Sequence, residues 1–195
     1  MDIRSWEERY RSRDRKAEDV DAEPTPLLVG TARNLNPGRA LDLASGTGRN
    51  ALWLARHGWQ VTAIDGAHSA IEILRDRAQR AKLAVEAEVQ NLQSSDLQIP
   101  NLRLETRAFD LVAICYYLQR SLFAPAKEAV KPGGVLLAIV HTTEGDEKPT
   151  ESRLCPGELR LYFQGWEIQH YYEGKPADPA HKRAVAEIVA QRPTN

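Results

Sequence analysis

From Ala40 onward the apolar residues fall into short, nearly continuous runs, separated by stretches where they recur every three or four positions. These runs are Ala40 to Leu43, Gln60 to Ile64, Phe109 to Ile114 and Val135 to Val140. Each reads as a strand buried on both faces. The stretches between them read as helices. Asn50 to His57 puts Ala51, Leu52, Leu54 and Ala55 inward, and Gly58 ends it. Ser69 to Ala81 puts Ile71, Leu74 and Ala78 on one face. Leu122 to Val130 follows the fourth strand and stops at Lys131-Pro-Gly-Gly134. Ala84 to Val89 alternates instead, as a strand with one wet face does. Gln93 to Arg107 is rich in Ser, Pro and Asn and reads as a loop. Strands of this kind, separated by helices, predict a parallel sheet covered on both sides. The pattern changes after Val140. Pro156 to Phe163 reads as a short helix, and Trp166 to Tyr172 and Arg183 to Gln191 as two more strands. The loop joining those strands contains Gly174, Pro176 and Pro179 and has no room for a crossover helix, so the pair must run antiparallel. The expected architecture is an α/β, doubly wound, mostly parallel seven-stranded sheet ending in an antiparallel C-terminal hairpin.

Ahead of Ala40 the pattern is weaker. Ile3 to about Arg15 predicts a short helix with Trp6 and Tyr10 at i, i+4 spacing. Arg11 to Glu23 mixes both charge signs and reads as a solvated linker. Pro24 and Pro26 break it, Pro26 to Val29 opens a short helix, and Asn34 to Gly38 is a turn. No internal repeat appears. The 195 residues are expected to form one domain, 1–195, with 1–23 as an N-terminal helix and charged linker.

Composition narrows the function classes. The chain is 42% hydrophobic, enough for a core, and its net charge of −1 gives no bias toward nucleic acid or anionic membrane. Cys115 and Cys155 form no CxxC pair, which fits a reducing compartment. Met1 to Tyr10 is too polar for a signal peptide, and Val135 to Val140 is too short to span a bilayer. A cytoplasmic protein without membrane or nucleic-acid partners is expected. The histidines make no ligand-spaced cluster, so no metal is expected. There is no Gly-Lys-Ser/Thr phosphate loop and no Gly-x-Ser-x-Gly elbow.

The chemistry concentrates between Arg39 and Asp65. A strand, a turn with Gly46 and Gly48, a helix and a second strand ending in an acid make a nucleoside cradle. The glycines let the backbone approach a ligand, and the helix that follows aims its first amides at it. Asp65, about twenty positions beyond Gly46, can accept both hydroxyls of a ribose. Gly46-x-Gly48-x-x-Ala51 also fits a dinucleotide fingerprint, so an NAD(P)-binding oxidoreductase of reduced Rossmann type is one alternative. Against it stands Asp42, which beside a pyrophosphate would repel. No substrate domain follows either.

Leu41-Asp-Leu-Ala-Ser-Gly-Thr-Gly-Arg-Asn50, Leu52-Trp-Leu-Ala55, Gly58-Trp-Gln-Val-Thr-Ala-Ile-Asp65 and the opening Trp6-Glu-Glu-Arg-Tyr10 together resemble the class I S-adenosylmethionine-dependent methyltransferases. Within them the chain is most similar to the small tellurite-resistance, TehB-like branch. The resemblance implies a Rossmann-like fold, S-adenosyl-L-methionine as cofactor and S-adenosyl-L-homocysteine as product. It implies that Asp42, Ser45, Gly46 and Gly48 line the methionine end, together with Asn50 of the Gly-Arg-Asn segment. Asp65 would hold the ribose, with Gly66 and Ala67 beside the adenine. Asn91 and Leu92 would take the adenine edge, Asn91 standing where the family usually has Asp. Cys115 would sit under the sulfonium. The family often has Gly at Ala44, a change expected to be sterically mild.

Other uses remain open for several of these. Asp65 also suits a helix N-cap. Cys115 suits a small buried hydrophobe. Trp6 and Tyr10 suit packing, or a lid over the cofactor. On the substrate side Tyr116, Tyr117 and Arg120 follow the fourth strand, and His141 follows the fifth, where it could serve as a base. No catalytic dyad stands out. The acceptor is expected to be a small molecule, such as a tellurite or other chalcogen oxyanion or a thiol. A non-catalytic S-adenosylmethionine-binding protein is the remaining alternative. Oligomeric state is not legible.

Overall fold

A computed structural model describes residues 3–12, 23–93, 99, 102–145, 147–148 and 150–194. In chain order the elements are α1 (Ile3–Arg11), α2 (Pro26–Arg33), β1 (Arg39–Leu43), α3 (Arg49–Arg56), β2 (Gln60–Asp65), α4 (His68–Ala81), β3 (Val85–Val89), β4 (Phe109–Cys115), a 3-10 turn (Arg120–Leu122), α5 (Phe123–Ala129), β5 (Val130–His141), α6 (Glu158–Leu161), β6 (Glu167–Gly174) and β7 (Val185–Gln191). The strands form a seven-stranded sheet in the order β3-β2-β1-β4-β5-β7-β6. β1 lies between β2 and β4, and these pairs, like β2–β3 and β4–β5, are parallel. β7 runs antiparallel to both β5 and β6. The expected α/β sheet with a terminal hairpin is therefore the fold.

Side chains alternate across the sheet and build one core on each face. Ala40, Val61, Ala63, Leu111 and Leu137 meet Leu28 of α2, Ala51 and Leu54 of α3, and Ile71 and Leu74 of α4. Leu41, Leu43, Val112, Ile114 and Leu136 meet Phe123 and Ala126 of α5 and Leu159 of α6. Burial on both faces is why these strands are mostly apolar. Asp42 breaks that rule: it shares the Ala40 face and is 1% exposed.

Several boundaries differ from expectation. α1 ends at Arg11, four residues early, and most of the charged linker lies outside the described residues. α5 ends at Ala129, so a helix does stop ahead of Lys131-Pro-Gly-Gly134 as expected, but that segment is itself strand. It lies inside β5, where Val130 pairs with Phe109, the register shifts, and Val135 pairs with Leu111. A Cβ on Gly134 would sit 3.0 Å from the Phe109 carbonyl oxygen, so glycine is what lets the two strands close at this bulge. The helix expected over Leu122–Val130 is a 3-10 turn followed by α5, and Pro125 falls in α5's first turn, where no helical amide is lost. Among the described residues no helix is long and apolar enough to cross a membrane, and no group of three or more His, Cys, Asp or Glu could hold a metal ion.

Candidate functional site

Chain order reverses between β1 and β4: β2 and β3 lie to one side, β4 and β5 to the other. The carboxyl ends of the strands at such a point leave a crevice. Here it is a hollow of about 450 Å³, walled by the β1–α3 loop, the end of β2, the residues after β4, α1 and the β6–β7 loop.

The β1–α3 loop turns through three left-handed residues, Ala44 (φ 57°), Gly46 (φ 54°) and Gly48 (φ 87°). Gly48 is needed twice. It carries a positive φ, and a Cβ there would fall 2.1 Å from Leu74 Cδ1. Ala44 has a Cβ in the left-handed region, which costs about 1–2 kcal/mol. The change from Gly at this position is therefore not mild, contrary to expectation. The loop is fixed from outside: Ser45 N–H donates to Ile64 O (3.1 Å) and Arg77 Nη1 donates to Thr47 O (2.7 Å).

Asp65 ends β2 on the wall of the hollow. Gly46 N–H donates to its Oδ2 and Ala67 N–H to its Oδ1, each at 2.8 Å. Burial raises its pKa and those amides oppose the rise. Two amides leave the carboxylate with further lone pairs. Ser45, Gly46, Asn50, Gly66, Ala67, Leu92 and Cys115 also line the hollow. Burial pushes the Cys115 thiol up to about 12, so it stays neutral. Asn50 has a second task, because its Oδ1 accepts from Thr25 N–H (2.9 Å) and so fixes the start of α2.

Three expected cofactor residues do not reach the wall. Gly48 backs onto Leu74. Asn91 is exposed and its Oδ1 accepts from Gln93 N–H (2.8 Å); that turn brings Gln93 to the wall in its place. Asp42 lies beneath the loop. Its Oδ2 has no hydrogen-bond partner among the described residues, and neither does Ser45 Oγ. Burial pushes the Asp42 carboxyl up to about 7 against the pull of Arg49.

On the β4 side Tyr116 and Tyr117 line the hollow. Tyr117 donates its hydroxyl to Leu92 O (3.1 Å). Tyr116 holds φ 60°, an unfavourable conformation for a bulky residue, and its buried hydroxyl has no partner among the described residues. Arg120 is drawn away: it donates to Glu158 Oε1 (2.8 Å) and to Thr150 O (3.0 Å), and braces α6. His141 does not reach the wall either. Its ring lies 5.8 Å from that of Tyr116, and burial lowers its pKa.

α1 lends Ile3, Trp6, Arg9 and Tyr10 to the wall; Trp6 and Tyr10 were expected as packing or a lid, whereas Ile3 and Arg9 were not anticipated. Trp6 stacks on Tyr10 at 5.9 Å, and Glu7 holds α1 in place by accepting from Ser69 N–H at the start of α4 (3.3 Å). The i, i+4 aromatic pair was the signal for this. Arg49 was legible only as part of Gly-Arg-Asn. Ala180 and His181 come from the β6–β7 loop, for which the sequence carries no signal. The His181 ring lies flat on Tyr116, with centroids 3.3 Å apart and planes within 5°, and burial pushes its pKa down to about 4.

Comparison with known proteins bears on this site. Residues 16–182 match the profile of the family described as Tellurite resistance protein TehB. A Haemophilus influenzae protein named probable S-adenosyl-L-methionine-dependent methyltransferase TehB is 25% identical over 154 residues, which is 75% of this chain and 52% of that protein. The chain thus spans about half the length of the curated relatives it matches. Among solved structures, TehB from Haemophilus influenzae superposes with a TM-score of 0.70 at 24% identity, over 85% of this chain and 61% of that one. A SAM-dependent methyltransferase from Methanosarcina mazei also gives 0.70, at 18% identity, over 89% of this chain and 100% of the other. Both structural likenesses are likenesses of fold.

Proposed function

The chain belongs to the tellurite resistance TehB family, and on that premise we propose that it is an S-adenosylmethionine-dependent methyltransferase whose cofactor occupies the hollow at the ends of β1, β2 and β4. The observation that carries this reading is Asp65. Its carboxylate is held on the wall by the Gly46 and Ala67 amides and keeps lone pairs for two vicinal hydroxyls. The Ser45 hydroxyl, buried on the wall and without a partner among the described residues, fits the polar methionine end of such a ligand.

In this reading Asp65 accepts from the ribose, and Gly66, Ala67 and Leu92 border the adenine. Gln93 takes the polar edge expected of Asn91. Ser45, Gly46, Asn50 and the first turn of α3 face the methionine end, where the helix amides favour a carboxylate. Asp42 acts through the loop from below. Cys115, Tyr116 and Tyr117 close the β4 side, and α1 covers the outer side as a lid. Bound there, S-adenosylmethionine supplies a methyl group already activated by its sulfonium, leaving S-adenosylhomocysteine as product. The residues' task is then to bind, to orient and to exclude water. The acceptor is a small molecule, a chalcogen oxyanion such as tellurite or a thiol. A soft acceptor of this kind needs no strong base. That agrees with a wall where the Cys115 thiol is neutral and His141 is set back.

Calorimetry with S-adenosylhomocysteine and, separately, NADH tests the assignment. Saturable binding of the first and none of the second is expected, and the reverse result overturns it. Release of S-adenosylhomocysteine in the presence of tellurite or a small thiol then separates an enzyme from a protein that only binds the cofactor.

A further inference from the structure

Asp178 lies in the loop between β6 and β7, 129 positions from Arg49, and is 4% exposed. Its two carboxylate oxygens do different things. Oδ1 accepts from Ala180 N–H (3.0 Å) and shapes the loop's own turn. Oδ2 accepts from Arg49 Nη2 (2.8 Å), an ion pair whose side chains are 15% and 4% exposed. Arg49 opens α3 directly after Gly48. It also donates to Glu23 O (3.1 Å), and its guanidinium lies 5.5 Å from the centre of the Tyr116 ring. One guanidinium thus gathers the approach to α2, the end of β4 and the β6–β7 loop around the hollow.

A buried pair of this kind is a weak source of net stability, because desolvation offsets most of the attraction. Its better-attested use is to fix one arrangement over others, since either partner left alone in the interior is strongly unfavourable. The arrangement fixed here is specific. Two and three residues after Asp178 come Ala180 and His181, both on the wall of the hollow, with His181 flat against Tyr116. We infer that Asp178 is a positioning residue of the site: through Arg49 it fastens the β6–β7 loop to the first turn of α3, and so sets the Ala180–His181 segment as the wall beside Tyr116. The inference rests on the reading of the hollow as the methyltransferase site. It adds the element that completes the enclosure on the hairpin side.

Asp178→Asn separates the two tasks. The amide oxygen can still accept from Ala180 N–H, so the turn persists. The amide nitrogen now faces the Arg49 guanidinium donor to donor, so the fastening is lost. Asp178→Glu keeps the charge. The readout is the His181 ring by NMR. In the native protein its carbon-bound protons lie in the ring current of Tyr116 and resonate upfield of an exposed histidine. In Asp178→Asn they are expected to move toward the exposed value, amide exchange over residues 175–184 to quicken at least tenfold, and the affinity for S-adenosylhomocysteine to fall several-fold. Asp178→Glu is expected to restore the upfield shift and most of the affinity. Unchanged His181 resonances and exchange in a folded Asp178→Asn overturn the inference, and leave the cofactor assignment standing if S-adenosylhomocysteine still binds. Failure of the native protein to bind S-adenosylhomocysteine overturns the cofactor assignment instead, while the His181 signature still reports on the fastening. Should Asp178→Asn not fold, Arg49→Lys makes a milder cut: it keeps the charge, loses the planar fork, and is expected to move the same resonances the same way. No movement there overturns the inference equally.

Discussion

Removing the carboxylate of Asp65 has two consequences that can be measured apart. The first concerns the fold. Gly46 N–H and Ala67 N–H both donate to this side chain at 2.8 Å, and Asp65 is 9% exposed. Asp65→Ala orphans both amides, and an unsatisfied buried donor costs about 1–3 kcal/mol. Water entering from the hollow brings the sum toward the low end of the range for two such groups. Asp65→Asn keeps one acceptor oxygen and orphans one amide, so it loses about half as much. The second consequence concerns binding. A hydrogen bond to a charged acceptor is worth about 1.5–3 kcal/mol. Losing it from the ribose weakens S-adenosylhomocysteine binding by roughly 10- to 150-fold in Kd. Thermal melts without ligand give the first effect and calorimetry on the folded fraction gives the second. Two folded variants with native affinity would refute the placement of Asp65 in the cofactor site. A melting temperature unchanged in Asp65→Ala would refute the claim that its carboxylate holds the loop.

Three further outcomes follow from the same geometry. Gly48→Ala must carry a side chain at φ 87° and push Leu74 aside. Backbone strain of about 1–2 kcal/mol and overpacking of about 1–3 kcal/mol make it strongly destabilising in a denaturant melt, against about 5–15 kcal/mol of total stability; a native midpoint would contradict the crowding. Asp42 has a folded pKa of about 7, above the ordinary carboxylate value of 3.8, because burial penalises its charge. The folded state therefore holds the extra proton between those values, and this group's contribution to stability is lost as pH rises through 7. His181 and His141 act in the opposite sense, since burial lowers both: the folded state holds fewer protons there, and stability is gained as pH rises from about 4, the folded value for His181, toward the ordinary histidine range. Comparing Asp42→Asn with the native chain isolates the first contribution: between pH 5 and 8 the native melting temperature should fall relative to the variant, and parallel curves would refute a perturbed Asp42. Deleting residues 1–12 removes Ile3, Trp6, Arg9 and Tyr10 from the wall, so S-adenosylhomocysteine should dissociate faster in stopped-flow while the remaining fold keeps its circular dichroism; an unchanged off-rate would mean that α1 is no lid.

What could be read in advance was whatever leaves a local mark. Nearly continuous apolar runs announced β1, β2, β4 and β5 because most positions on both faces of those strands are buried, and burial is written residue by residue. The proline- and glycine-containing connection between β6 and β7 announced antiparallel pairing because chain length alone forbids a crossover. Gly46 and Asp65 were legible from their places at the strand ends, while Ala67 and Cys115 came from the resemblance to the methyltransferases. The misplaced features have tertiary causes. Lys131-Pro-Gly-Gly134 reads as a helix stop, and α5 does end before it, but its place inside β5 left no local mark: the Phe109 carbonyl needs a neighbour without a Cβ, and that need belongs to β4. Asn91 sits at the expected position, but its side chain closes its own turn, and Gln93 faces the hollow instead. Arg120 follows β4 as an acceptor-side residue would, but Glu158, 38 positions away, claims it.

The β6–β7 loop is the extreme case. Asp178, Pro179, Ala180 and His181 have the composition of a solvated turn, and nothing within the hairpin marks them otherwise. Ala180 and His181 reach the wall with Asp178 held by Arg49 from the first turn of α3, and Arg49 directly follows Gly48, which starts that helix against Leu74. A positive φ in the glycine loop thus bears on where a loop near the C-terminus comes to rest. This dependence makes a prediction about order. Damage at Gly48 should disturb the His181 ring as well as the cofactor loop. Damage at Asp178 should disturb the His181 ring and leave the backbone at Gly46 and Gly48 in place. Amide exchange on Gly48→Ala and Asp178→Asn distinguishes the two directions, and a symmetrical pattern would show that the loop and α3 hold each other up as equals.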